Sequence, residues 1–212
     1  MGGLTEAVED REGWLWPKGD RHTWPTVQSE LDEIAPLVAL CKQRRTCIQA
    51  GGNGGLWVRP LAGLFETLYT FEPDAVNFRC LVHNVPAENV IFTMGCLGIA
   101  GGDFAEVDRW MPGNPGANRM DYGRGKVPVY AIDELCLTDV DLIQLDVEGA
   151  ELLALKGAAG TIDLCKPVIC VELRGHSGRY GNDDQAVRDW LHARGYVLAA
   201  RMHHDEFYTF QG

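Results

Sequence analysis

The chain has 212 residues, 46% of them hydrophobic, which is enough for one sizeable core and short for two, so a single α/β domain over 1–212 is expected. Thirty acidic against 19 basic residues leave a net charge of -11, which excludes a broad basic face laid along a nucleic-acid duplex. No apolar run approaches membrane length and the N-terminus lacks a signal-peptide pattern, so a soluble, cytoplasmic protein with no membrane partner is expected.

In chain order, the first landmark is an aromatic arm over about 1–28, where Trp14, Trp16, Pro17, Asp20, His22 and Trp24 crowd together. Trp16 and Asp20 suit a small-molecule or glycan acceptor, the ring stacking and the acid orienting it. The competing reading is an arm fixed to the sheet by its tryptophans. A helix over 29–44 follows, with Leu31, Ile34, Leu37, Val38 and Cys41 spaced for one face. Strands are expected at 46–50, 67–71, 89–94, 141–147, 167–173, 196–202 and 206–210, with helices at 150–158 and 184–194. That alternation predicts a doubly wound, mostly parallel sheet. The last two strands are too close for a crossover helix and should form an antiparallel C-terminal pair. The stretch 95–127, rich in Gly and Pro, reads as an irregular insertion with a functional or mobile role. Seven cysteines without a CxxC pair suit free thiols better than disulfides or zinc.

Two features point to a nucleotide-like ligand. The first strand ends in Gln49-Ala50-Gly51-Gly52-Asn53-Gly54-Gly55, where backbone amides can approach a ligand that a Cβ would exclude. The second runs into Glu72-Pro73, and an acid at that place can accept both hydroxyls of a ribose while Pro73 fixes the backbone after it. The glycine spacing is not the dinucleotide fingerprint, since Trp57 stands where a third glycine would be needed. An NAD-dependent oxidoreductase and a non-catalytic nucleotide-binding module are the rival readings.

Together with Asn84, Asp146-Val147-Glu148-Gly149-Ala150-Glu151 and Leu155-Lys156-Gly157-Ala158, these blocks resemble the FkbM-type methyltransferases, in that family's order and over about residues 47–172. The resemblance implies a class I methyltransferase-like (Rossmann-like) sheet, S-adenosyl-L-methionine as methyl donor, and a hydroxyl acceptor on a sugar, nucleoside or natural product. It implies cofactor contacts from Gln49, Gly51, Gly52, Asn53, Gly55, Glu72, Pro73, Cys96 and Asp146. The chain departs from the family at Gln49, where Asp is usual, and at Gly52, where Ala is usual. An amide at 49 can orient the cofactor's amino-acid portion but brings no negative charge toward its ammonium or sulfonium.

Methyl transfer to oxygen needs a group that takes the acceptor's proton. Asp146 and Glu148 close the fourth strand, and an intact pleat would put both on one side of the sheet edge; Glu172 ends the neighbouring strand. Asp146 or Glu148 is the expected base, with Glu172 sharing the acceptor's hydrogen bonds and His176 a second proton acceptor. Three carboxylates in one crevice should raise at least one proton affinity. The same trio could instead hold a divalent cation, but no metal is the preferred reading. Arg174 is expected to face the acceptor, and Arg124 with Lys126 to cover it. Glu151, in a first helical turn, suits the helix dipole.

Overall fold

The computed structural model describes residues 7–212, so the first six residues of the expected arm lie outside the described residues. The arm opens with a hairpin, β1 (Val8–Arg11) and β2 (Trp14–Pro17). Glu12 and Gly13 between them both take positive φ, 55° and 83°, as a two-residue type I′ turn requires. The helix expected over 29–44 is instead two helices, α1 (Thr23–Glu30) and α2 (Ile34–Ala39), separated by a 3₁₀ turn. Pro36 explains the break, because it lacks an N–H and is tolerated only in the first turn of a new helix.

Strands and helices then alternate as β3 (Thr46–Ala50), α3 (Val58–Ala62), β4 (Thr67–Phe71), α4 (Ala75–Asn84) and β5 (Val90–Thr93). The stretch expected to be irregular holds short strands β6 (Cys96–Leu97), β7 (Phe104–Asp108), β8 (Arg119–Tyr122) and β9 (Val127–Tyr130), which form a second sheet in the order β6-β9-β7-β8. Cys96, Ala105, Met120 and Val129 make its small core. Strands of two to five residues, interrupted by Gly and Pro, are too short to show a period in the sequence.

The chain returns to the main sheet through β10 (Val140–Leu145), α5 (Glu151–Lys156), α6 (Ala159–Cys165), β11 (Val168–Glu172), α7 (Asp184–His192), β12 (Tyr196–Met202) and β13 (Asp205–Phe210). The seven strands lie in the order β12-β13-β11-β10-β3-β4-β5, with β5, β4, β3, β10 and β11 parallel. β13 runs antiparallel to both β11 and β12, so the result is an α/β fold with a mixed central sheet in which one strand is reversed.

Neighbouring residues on these strands serve opposite faces. Ile48, Ile143 and Ile169 pack with Leu152, Leu155, Ile162, Val187 and Leu191 of α5, α6 and α7. Cys47, Leu142 and Cys170 pack with Leu37, Leu61 and Leu81 of α2, α3 and α4. Both faces are therefore covered, and the polar groups gather at the carboxyl ends of the strands. The order reverses between β3 and β10, which is where open sheets of this kind leave a crevice. None of the described helices is long and apolar enough to cross a membrane.

Candidate active site

A cavity opens at that crevice. Its floor is the turn after β3. Gly51 has φ +87°, and a Cβ there would lie 1.9 Å from the Asp146 carbonyl oxygen, so the ends of β3 and β10 approach this closely only over glycine. The Gly51 and Gly52 amides both donate to the Phe71 carbonyl at 3.0 Å, which ties the turn to β4. A Cβ on Gly52 would lie 2.7 Å from Leu81 and 2.8 Å from the Thr70 hydroxyl, so the turn seats this closely on α4 and β4 only over glycine. Asn84 reads the same turn from α4: its amide nitrogen donates to the Gly54 and Leu15 carbonyls, and its oxygen accepts from the Leu15 amide.

Glu72 stands across the turn. One carboxylate oxygen accepts from the Asn53 amide at 2.7 Å and the other from the Asp74 amide at 2.8 Å. Each oxygen keeps a second lone pair for a ligand hydroxyl. Burial raises its pKa to about 8, with Asp74 adding to the rise and these amides opposing it. Gln49 is buried, its amide oxygen accepting from the Thr70 hydroxyl at 2.6 Å. Two buried side-chain oxygens on the wall, Gln144 Oε1 and Asn77 Oδ1, have no partner among the described residues.

The acids meet on the other side of the turn. Oxygens of Asp146, Glu148 and Glu172 lie within 4.8 Å of one another, a spacing that also suits a shared cation. Positive charge already reaches them from Arg174, paired with Glu172 at 2.6 Å and Glu30 at 2.7 Å, and the His176 Nδ1 lies 2.7 Å from a Glu148 oxygen. Burial raises all three carboxyls, Glu148 to about 8, and Asp146 raises the other two further. Burial lowers His176, as do the charges of Arg119 and Arg174.

The pleat that the sequence suggested for Asp146 and Glu148 is absent, because β10 ends at Leu145. Glu148 sits instead on a turn with φ +54°, followed by Gly149 at φ +100°, whose missing Cβ would lie 2.5 Å from the His176 carbonyl oxygen. Glu151 holds this turn by accepting from the Val147 and Gly149 amides at 3.2 and 3.1 Å.

Thus Gln49, Gly51, Gly52, Asn53, Glu72, Pro73, Cys96, Asp146, Glu148, Glu172, Arg174 and Trp16 line one cavity. Gly55 shapes the turn behind it at φ +93°, and His176 stands behind Glu148. Asp20 is turned inward: its oxygens accept from the Trp16 indole at 2.7 Å and from the amides of His22, Thr23 and Trp24, which starts α1. Arg124 is 63% exposed, paired with Asp121 and Glu106, and is not part of the wall. The sequence reading missed Glu30, Thr23, Asn77 and the segment around Pro115, all of which line the cavity. Nothing in their local pattern distinguishes them from surface polar residues.

Comparison with known proteins follows the same lines. The family model of the methyltransferase FkbM domain matches residues 49–198. Among solved structures, the methyltransferase FkbM of Methylobacillus flagellatus KT is 19% identical with a TM-score of 0.57, over 79% of this chain and 44% of that one. The chain therefore spans less than half the length of that relative. The ribosomal protein L11 methylase of Lactobacillus delbrueckii subsp. bulgaricus is 8% identical with a TM-score of 0.56, over 93% and 84% of the two chains. The precorrin 8W decarboxylase of Methanobacterium thermoautotrophicum is 15% identical with a TM-score of 0.51, over 86% and 90%. At such identities the likeness is one of fold. No curated protein matches the sequence.

Proposed function

Because this chain belongs to the FkbM methyltransferase family, we propose that it is an S-adenosylmethionine-dependent O-methyltransferase acting on a hydroxyl of a sugar, nucleoside or natural-product acceptor. One observation carries the reading: Glu72 and the Asp146, Glu148, Glu172 trio face a single cavity from opposite sides of the Gly51-Gly52 turn. The residues fit such a cofactor on their own terms. Glu72 has lone pairs free for ligand hydroxyls, and the unpartnered buried oxygens of Gln144 and Asn77 await donors. When bound, the cofactor supplies an electrophilic methyl group on a sulfonium.

In this reading Glu72 holds the ribose, with Pro73 and Cys96 bordering the adenine end and Gln49 the amino-acid end. Asp146 faces the cationic portion. Glu148 takes the acceptor's proton, because it alone of the trio has a hydrogen-bonded imidazole behind it through which that proton can leave. Arg174, held by Glu172 and Glu30, orients the acceptor without titrating. Trp16, fully buried against Trp24 and over Gly54, and Trp57, 8% exposed, back the wall from behind and offer no ring face for an acceptor to stack on.

The sign of the pH dependence follows from Glu148. A base whose proton affinity sits near 8 is protonated in the free enzyme below that pH, so kcat/KM should rise as pH passes about 8. The test is transfer of radiolabelled methyl from S-adenosylmethionine to a panel of free sugars, nucleosides and hydroxylated macrolides. Glu148→Gln should lower kcat by about 10²- to 10⁴-fold with cofactor affinity little changed. Labelling of amines in place of hydroxyls would refute the O-methyl assignment, and an undiminished Glu148→Gln rate would remove Glu148 as the base.

A further inference from the structure

The cavity wall between the N-terminal segment and α4 is completed by residues 113–118, between β7 and β8. On one side the Arg21 amide donates to the Gly113 carbonyl at 2.9 Å. The Thr23 hydroxyl donates to Asn114 Oδ1 at 2.8 Å and accepts from the Gly116 amide at 2.9 Å. On the other side Asn77 Nδ2 donates to the Pro115 carbonyl at 3.0 Å, and Asn118 Nδ2 donates to Asp74 at 3.3 Å. Asn114, Pro115, Gly116 and Asn118 all face the cavity. Gly116 seats on Thr23 so closely that a Cβ would meet its hydroxyl at 2.9 Å and its methyl at 2.8 Å.

Two features separate this segment from an ordinary wall. It is held at both ends by polar contacts, and among the described residues positions 113–118 belong to none of the hydrophobic clusters. Segments held in this way open at low free-energy cost while the core stays folded. Its partner Thr23 lies outside residues 49–198, the part that the family model matches.

We propose that residues 113–118 form a lid over the cofactor cavity, latched by the Thr23 hydroxyl, and that the lid must open for cofactor to enter or leave. The proposal rests on the cofactor reading given above. One hydroxyl serves both hydrogen bonds of the latch, so a single isosteric change removes them together. If the closed form predominates and exchange passes through the open one, loosening the latch speeds entry and exit alike and leaves affinity nearly unchanged.

The test is stopped-flow binding of S-adenosylhomocysteine, read by intrinsic tryptophan fluorescence. Thr23→Val should raise the association and dissociation rate constants each by about tenfold, with Kd changed by less than about threefold. The pair Thr23→Cys with Gly116→Cys places two thiols within disulfide reach. Oxidised, it should slow both rates by more than about tenfold, and reductant should restore them, which also verifies that the variant is folded. A Thr23→Val protein that changes only the dissociation rate, or an oxidised pair that exchanges ligand at the wild-type rate, would overturn the lid. Wild-type protein that binds no S-adenosylhomocysteine would instead overturn the cofactor reading, and the lid with it.

Discussion

A carboxylate stays at a defined place when its oxygens have backbone donors, and Glu72 has two, from residues on either side of the strand end. Glu72→Gln keeps the shape but sets an NH₂ group where an oxygen accepts from a backbone amide and from a ribose hydroxyl, so S-adenosylhomocysteine affinity measured by calorimetry should fall by about 10- to 100-fold. An unchanged affinity would place the ribose elsewhere. Asp20 shows the opposite use of an acid. Burial pushes its pKa up, but the Trp16 indole and three backbone amides outweigh this and hold it below the usual carboxylate range. Asp20→Ala should lower unfolding free energy by about 2–4 kcal/mol in urea titrations, since it leaves the start of α1 uncapped and the buried indole N–H unpaired. The residues legible in the sequence were those with chain neighbours that announce them, such as Glu72 before Pro73 and Asp146 before Glu148-Gly149. Thr23, Glu30 and Asn77 were not, because each is brought to the cavity by a contact distant in sequence, such as the Arg174 pair of Glu30.

At the scale of elements, glycine decides where strands can meet. Gly51→Ala would set a Cβ 1.9 Å from a main-chain oxygen of the next strand, in a backbone conformation already unfavourable for alanine. A loss of about 3 kcal/mol or more, or failure to fold, is expected, whereas Gly178→Ala, with nothing within 4 Å, should stay within about 0.5 kcal/mol of wild type. Comparable urea midpoints for the two variants would contradict the close approach of β3 and β10. The alternation of β3, β4, β10 and β11 with helices was readable because strands buried on both faces are near-continuous apolar runs. The second sheet was not, its strands being short and mostly half-exposed. Nor was the position of β13: a short turn implies pairing of β12 with β13, but only the tertiary structure decides that β13 lies inside against β11.

For the whole molecule, the excess of acids has a consequence for stability. Burial raises Glu33 and Glu151 to about 7, Glu72 and Glu148 to about 8, and Asp205 to about 9. Such groups hold protons in the folded state that the unfolded chain releases near pH 4, so their contribution is full below that pH and is lost as pH rises through 7 to 9. Asp20, Asp121, Asp141 and Glu206 are shifted down despite burial, by hydrogen bonds and arginines, and their contribution is lost as pH falls below about 4. The urea midpoint should therefore peak in mildly acidic solution and decline toward pH 9; a midpoint that rises over that range would contradict these assignments. A bound cation-bearing ligand should offset the decline, since it favours the ionised trio. The proposed activity needs one cavity that grips an adenosyl donor through Glu72 and Asp146 and faces the acceptor with Glu148 and Arg174. Isothermal calorimetry with S-adenosylhomocysteine and, separately, with NAD tests it most directly: one S-adenosylhomocysteine per chain and no NAD is the predicted result, and NAD alone, or neither ligand, would contradict it.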